Sequence, residues 1–277
     1  MDGGLWEGDC PELSCMDIET KDDSKAMAPP RGCQHYANLT EMPWDIQKYY
    51  HQRFSIFSKY DEGIWMTEDA WFGVTPEPVA STIAKHIAGA ASAGKAILID
   101  CFAGVGGNVI AFAQSERWKR VYAIEKDSRA LACAKHNAEI YGVRDSISWY
   151  EGDCFEILRN ELAELGQHSI LFASPPWGGL STLLRLVRHE ASLMNAGPGY
   201  RSDTVFDLAK MQPYTLTDVL HPFQQLTEDV VLYLPRTSDV RQLANKSGKG
   251  RKTTVMHYCM EGASKVGRTY RSGPSKF

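Results

Sequence analysis

Residues 96–108 read Ala-Ile-Leu-Ile-Asp-Cys-Phe-Ala-Gly-Val-Gly-Gly-Asn, and the fold turns on how they are read. The opening residues are a short apolar run, either a buried strand or a piece of buried helix. Gly104, Gly106 and Gly107 break either element, and Val109, Ile110, Phe112 and Ala113 then recur in a helical pattern. Strand, glycine turn and helix form the opening unit of a nucleotide-binding α/β sheet. Glycine lets the backbone reach positive φ and lets a ligand lie against the main chain. The pattern is Asp-x-Phe-x-Gly-x-Gly-Gly rather than Gly-x-Gly-x-x-Gly. It also lacks the Lys-Ser/Thr of a P-loop, so it is not built to hold a triphosphate.

Asp100, at the strand tip, argues against pyrophosphate as well, because a carboxylate beside a helix N-terminus repels an anion. It suits a ligand carrying an amino group or ribose hydroxyls. S-adenosylmethionine has both and no phosphate. A glycine-rich turn in some other α/β protein is the alternative left open by this loop alone.

Upstream, Thr75-Pro76-Glu77 predicts a helix start, with Thr75 at N-cap and Pro76 at N1, running through Ile83 and Ile87. Residues 44–60 place Ile46, Tyr49, Tyr50, Phe54 and Phe57 at helical spacing and predict an amphipathic helix. Residues 61–75 read as an aromatic-rich loop. Residues 1–33, rich in Asp, Glu, Gly and Pro, read as a disordered leader. Residues 34–75 are then a small N-terminal helical extension, and 76–277 the main domain.

Downstream, strands are predicted at 120–125, 146–150, 169–173, 230–234 and 253–260, with helices at about 128–141 and 155–165. Alternation of this kind means an α/β, Rossmann-like, mostly parallel doubly wound sheet with ligands at the strands' carboxyl ends. Asp100, Glu125, Asp153, Ser174 and Arg236 all stand at such ends. Glu125 lies about 20 residues past the glycine loop, the spacing at which an acid meets ribose hydroxyls.

Ser174-Pro175-Pro176-Trp177 is the most specific signal. Two prolines after a buried strand stop the ladder and stiffen the loop. The Ser174 oxygen and the Pro175 carbonyl can accept hydrogen bonds from one amino group, and Trp177 can stack on a base. The competing reading makes Trp177 a core residue and the prolines a turn.

With both motifs in place, the sequence resembles the class I S-adenosylmethionine-dependent methyltransferases. DCFAGVGGNVIAFA, SPPWGG and FGVTPE together are similar to the trimethylguanosine synthases. The resemblance implies an RNA cap methyltransferase that transfers methyl groups to N2 of 7-methylguanosine on small nuclear and nucleolar RNAs, in the nucleus. It implies that Phe72 and Thr75 border the cofactor, and that Asp100 with Gly104 and Gly106 holds its amino-acid end. Glu125 would take the ribose and Asp153 the adenine edge. Ser174, Pro175 and Trp177 would form the guanine clamp, with Ser174 also bordering the cofactor, and Tyr200 and Arg236 would contact the cap phosphates. Glu125 departs from the family's usual Asp. Another exocyclic-amine methyltransferase (guanine N2 or adenine N6) and an inactive cap-binding module remain the rivals, with a nicotinamide enzyme behind them.

Two stretches depart from the family pattern. Residues 180–197 separate Gly179 from Pro198-Gly199-Tyr200, and the tail after Lys265 is basic, glycine-bearing and a poor strand. Both read as translated intron sequence. The insert is expected to be exposed and poorly packed, and the tail is not expected to pair as a seventh strand.

Composition sets outer bounds. The 277 residues are 43% hydrophobic and 23% charged, ordinary for a globular chain. No apolar run approaches the about 20 residues of a membrane span, and the polar, acidic N-terminus is not a secretory signal. A net charge of −4 means that any nucleic-acid site is local. Seven cysteines without Cys-x-x-Cys fit free thiols in a reducing compartment, with neither a zinc site nor a disulfide framework. A monomer is expected.

Overall fold

The computed structural model describes residues 28–177, 205–246, 252–258 and 267–273. Strands β1 (Ile97–Asp100), β2 (Arg120–Glu125), β3 (Ile147–Glu151), β4 (Ser169–Ala173) and β5 (Val230–Pro235) form a parallel sheet. With β6 (Lys252–His257) and β7 (Gly267–Gly273) the order is β3-β2-β1-β4-β5-β7-β6. The order reverses between β1 and β4, which opens a crevice beyond the carboxyl ends of those strands.

The central strands are buried on both faces, which is why their sequences are continuous apolar runs. Successive residues still alternate. Leu98, Ile170, Phe172, Val231 and Tyr233 face one core, while Ile99, Leu171, Ala173, Val230 and Leu232 face the other. The first core is covered by α4 (Glu77–Ala90), α5 (Gly107–Gln114) and the N-terminal extension, through Ile83, Val109 and Phe112. The second is covered by α7 (Cys154–Asn160) and α8 (Leu216–Leu226), through Ile157, Leu158, Val219 and Phe223. Helix α6 (Ser128–Ile140) starts where Asp127 accepts from the Arg129 N–H at 2.9 Å.

Five expectations change. The single helix over 44–60 is instead two one-turn helices, α1 (Gln47–Tyr50) and α2 (Arg53–Ile56), followed by a 3₁₀ turn at Tyr60–Glu62. The bonds from Tyr49, Gln52 and Ser55 N–H reach back three residues rather than four, to Ile46, Tyr49 and Gln52. Ile56 and Phe57 N–H reach back four residues, to Gln52 and Arg53, so the segment changes winding along its length, and Ile46, Ile56, Phe57 and Tyr60 are all buried in the core. A further turn, α3 (Ala70–Gly73), interrupts the expected loop at 61–75.

Thr75 does not cap a helix. Helix α4 begins at Glu77 with Pro76 at N-cap, and the Thr75 hydroxyl instead accepts from Asn108 Nδ2 at 3.0 Å. Order also begins before residue 33. Cys33 is buried and donates to the Arg129 carbonyl, and Gln34 pairs with Met66.

The tail expectation is overturned as well. Residues 267–273 form β7, antiparallel to both β5 and β6. Backbone pairing on two sides outweighs a weak strand composition. The insert 180–197 lies outside the described residues.

Cys33, Cys101, Cys133 and Cys154 are free and buried. Among the described residues no helix is long and apolar enough to cross a membrane.

Candidate active site

The five sequence-predicted polar strand ends fall on one edge of the parallel sheet. Asp100 ends β1, Glu125 ends β2, Asp153 follows β3, Ser174 follows β4 and Arg236 follows β5. Asp100 pairs in register with Phe172, so Ser174 stands two residues further along, beside Phe102, where the loops after β1 and β4 meet at the switch point.

Asp100 is 0% exposed. Its Oδ1 accepts from the Phe102 N–H at 3.2 Å, while Oδ2 has no hydrogen-bond partner among the described residues. Burial, with the nearby Glu125 charge as a lesser cause, pushes its pKa up to about 8. Asn108, at the other end of the loop, likewise keeps a buried Oδ1 without a donor among the described residues. Buried acceptors are costly unless a donor arrives. Two orphaned acceptors at the ends of one glycine loop fit a ligand with a cationic amino group, such as the amino-acid end of S-adenosylmethionine.

The loop between them is held from three sides. Glu125 Oε2 accepts from the Gly104 N–H at 2.8 Å and Oε1 from the Asp127 N–H at 2.9 Å. Burial raises the Glu125 pKa, opposed by those N–H donors. Gly106 has φ +102°, and an added Cβ would meet Ala134 Cα at 3.3 Å. At Gly107 a Cβ would meet the Thr75 carbonyl at 3.1 Å, so the extension presses directly on the loop. Gly104 faces open space: a Cβ added there would meet nothing within 4 Å, and its main chain is left accessible to a ligand.

The third support is a residue that the sequence does not flag. Asn137 on α6 is 0% exposed. Its Nδ2 donates to the carbonyls of Val105 and Trp65, each at 2.9 Å, and its Oδ1 accepts from the Trp65 N–H at 2.8 Å. One amide therefore ties the glycine loop to the extension. The Trp65 ring, stacked on His136 at 3.6 Å, reinforces the same seam. Asn137→Asp keeps the shape and the acceptor but removes both donors and buries a charge. The expected result is a Kd for S-adenosylhomocysteine raised by roughly 10- to 100-fold, the size of one to two lost buried hydrogen bonds. Calorimetry well below the melting temperature checks it, and an unchanged Kd contradicts the assignment.

Asp153 caps α7, accepting from the Phe155 N–H at 2.9 Å, and its other oxygen lies 3.4 Å from Lys126 Nζ. Phe102, Phe155 and Tyr214 surround this corner at centroid separations of 5.3–6.5 Å, an aromatic wall that sequence reasoning missed. Each ring sits alone in its own segment, so no spacing announces the cluster.

The Ser174 hydroxyl lies 3.5 Å from the Phe102 carbonyl, Pro175 is buried and Pro176 is exposed. Trp177 is half-buried, with one side packed near Tyr233 at 5.9 Å, and its Nε1 has no partner among the described residues. It is both a core contact and a partly open ring. Arg236 is exposed beyond β5. Phe72 is half-buried on the extension, edge-on to Tyr49 at 5.6 Å. Tyr200 lies outside the described residues.

Comparison with known proteins places the chain in a family. Residues 95–185 and 191–272 match a family model described as RNA cap guanine-N2 methyltransferase, and that match reaches through most of β7. The chain is 33% identical over 226 residues to the Trimethylguanosine synthase of Schizosaccharomyces pombe, covering 81% of this chain and 85% of that protein. It is 32% identical over 204 residues to the Trimethylguanosine synthase of Saccharomyces cerevisiae, covering 73% of this chain and 58% of that protein. Among solved structures, the delta-N METTL16 MTase domain aligns with TM-score 0.50 at 13% identity, over 73% of this chain and 85% of that one, a likeness of fold alone. Family match, relatives and the acid-flanked glycine loop converge, and this chain belongs to the RNA cap guanine-N2 methyltransferase family.

Proposed function

We propose that this protein methylates N2 of 7-methylguanosine caps on small nuclear and nucleolar RNAs, giving 2,2,7-trimethylguanosine, and acts in the nucleus as a monomer. The observation that carries the proposal is the meeting of two features across the β1/β4 switch point. One is a buried Asp100 with an unused oxygen, and the other is the Ser174-Pro175-Pro176-Trp177 loop.

S-adenosylmethionine supplies the methyl group on its sulfonium. Asp100 holds the amino group, and Thr75 and Phe72 close the extension side. Gly104 and Gly106 let the loop approach. Each Glu125 oxygen has a second lone pair for a ribose hydroxyl. Asp153 borders the adenine, walled by Phe102 and Phe155. The Ser174 hydroxyl and the Pro175 carbonyl orient the exocyclic amine, Trp177 stacks on the base, and Arg236 with Tyr200 meets the cap phosphates. In-line methyl transfer needs alignment above all, and positioning supplies it. The Ser174-Pro175-Pro176-Trp177 motif itself carries no His, Lys or Glu as a general base, and in this reading the proton leaves to water after transfer.

N7 methylation makes the guanine cationic, and the Trp177 face then adds a cation–π attraction of about 0.5–2 kcal/mol. The expected result is that 7-methyl-GTP is turned over and GTP is a poor substrate, measured as kcat/KM for each. Equal turnover contradicts the role given to the cationic base.

A further inference from the structure

We propose that Glu77 is a positioning residue for the cofactor site, its carboxylate pinning the N-terminal extension to α6 and so fixing Thr75 against the glycine loop. The proposal rests on Thr75 and the glycine loop bordering S-adenosylmethionine.

Glu77 opens α4. A first-turn glutamate already favours a helix start through the helix dipole and needs no partner for that. This one is taken up instead by three donors from two other segments. Its Oε2 accepts from the Ser58 N–H and from the Tyr141 hydroxyl, each at 2.6 Å, and its Oε1 accepts from the Ser58 hydroxyl at 2.9 Å. Ser58 belongs to the extension and follows α2, and Tyr141 is the C-cap of α6. Hydrogen bonds to a carboxylate are stronger than those between neutral groups. Burial and, after it, the bond to Glu77 hold the Tyr141 hydroxyl above its usual range, so it stays protonated and donates.

The neighbours close the same joint. The Phe57 ring packs near that of Tyr141 at 6.2 Å. The Lys59 N–H donates to the Tyr141 hydroxyl at 3.4 Å, and Lys59 Nζ donates to the Ile140 carbonyl at 3.1 Å. Asn137 stands one turn earlier on α6 and holds Trp65. The end of α6 therefore grips the extension at two points, and the one at Tyr141 runs on through Glu77 into α4.

The route from this joint to the site is short. Glu77 lies two residues past Thr75, with the rigid Pro76 between them. Thr75 is buried, its hydroxyl accepts from Asn108 Nδ2 at 3.0 Å, and its carbonyl lies 3.1 Å from the place of a Cβ on Gly107. Releasing Glu77 frees the stretch of chain that presses on the loop.

The test uses full-length Glu77→Ala, Glu77→Gln and Tyr141→Phe proteins, with S-adenosylhomocysteine calorimetry well below the melting temperature, steady-state kinetics and amide hydrogen exchange. Glu77→Ala is expected to raise both this Kd and the KM for S-adenosylmethionine about 10-fold, the size of one lost hydrogen bond to a charged group. The kcat at saturation stays at the wild-type value. Glu77→Gln is expected to restore most of the affinity, because its amide oxygen still accepts from Ser58 and Tyr141 and its nitrogen can donate to Ser58 Oγ. Tyr141→Phe falls between, and adding it to Glu77→Ala costs nothing further, since the hydroxyl has already lost its acceptor. Exchange over residues 102–110 speeds up in Glu77→Ala and not in Glu77→Gln. Wild-type Kd and KM in Glu77→Ala and Tyr141→Phe, with a lowered melting temperature alone, overturn the proposal, as does a Glu77→Gln protein no better than Glu77→Ala. If Glu77→Ala does not fold, Tyr141→Phe decides the question, because it removes a single bond. An unchanged Kd in Asp100→Asn is a failure of the cofactor reading, and exchange in the glycine loop still judges the joint on its own.

Discussion

Trp177→Ala is expected to abolish cap methylation while cofactor affinity stays within about twofold of wild type. The ring contributes stacking on the base, about 1–3 kcal/mol, and the cation–π term, about 0.5–2 kcal/mol. Together these are worth on the order of 100-fold or more in kcat/KM. Neither acts on the cofactor, whose predicted contacts come from the extension and from the ends of β1 to β4 and do not include the Trp177 ring. Trp177→Phe retains a ring and should keep part of the activity. Trp177 also packs near Tyr233, so truncation leaves a void and lowers the melting temperature. S-adenosylhomocysteine titration separates the two roles. Intact cofactor binding with lost methylation supports the clamp. Lost cofactor binding together with unfolding assigns Trp177 to the core.

Asp100 gives the second large effect. Asp100→Asn is expected to weaken S-adenosylhomocysteine binding by roughly 10- to 100-fold, the loss of a charge-assisted hydrogen bond. The pH dependence follows from the sign of its shift. Burial raises the folded pKa to about 8, above the about 3.9 of an unfolded aspartate. The ligand-free protein therefore holds a proton that the unfolded chain releases. The stability this provides is fully present below about pH 4 and is lost as pH rises through about 8. A cationic amino group reverses the preference, because ionised Asp100 pairs with it and binding below about pH 8 expels the proton. Cofactor affinity should climb with pH, by at most about tenfold per unit, and level off above about 8. Calorimetry from about pH 6 to about 9 checks this, and Asp100→Asn should flatten the profile. A flat wild-type profile contradicts the assignment.

What was legible in the sequence was legible for physical reasons. Parallel strands buried on both faces are continuous apolar runs, so β1, β4 and β5 were marked by composition, and glycine where φ is positive marked the loop. Polar residues at strand tips located the edge that carries the site. Features set by distant contacts were hidden. Asn137 looks like one more polar residue on α6, because its partners Trp65 and Val105 lie 72 and 32 residues away. Thr75 has the sequence of a cap, but a buried Asn108 takes its hydroxyl. Residues 44–60 have helical spacing, but three-residue bonds break them into separate turns, four of whose side chains are buried. The tail is a weak strand by composition, but it is paired on both sides by β5 and β6. Helix α8 went unmarked although Thr215 and Asp218 form a capping box at its start.

The most direct measurement of the central claim is incubation of the protein with 7-methylguanosine diphosphate and methyl-labelled S-adenosylmethionine, followed by mass analysis of the nucleotide and its fragments. The predicted result is one or two labelled methyl groups on the exocyclic N2 of 7-methylguanine. Label on another atom of the nucleotide, or none while S-adenosylhomocysteine still binds, would contradict it.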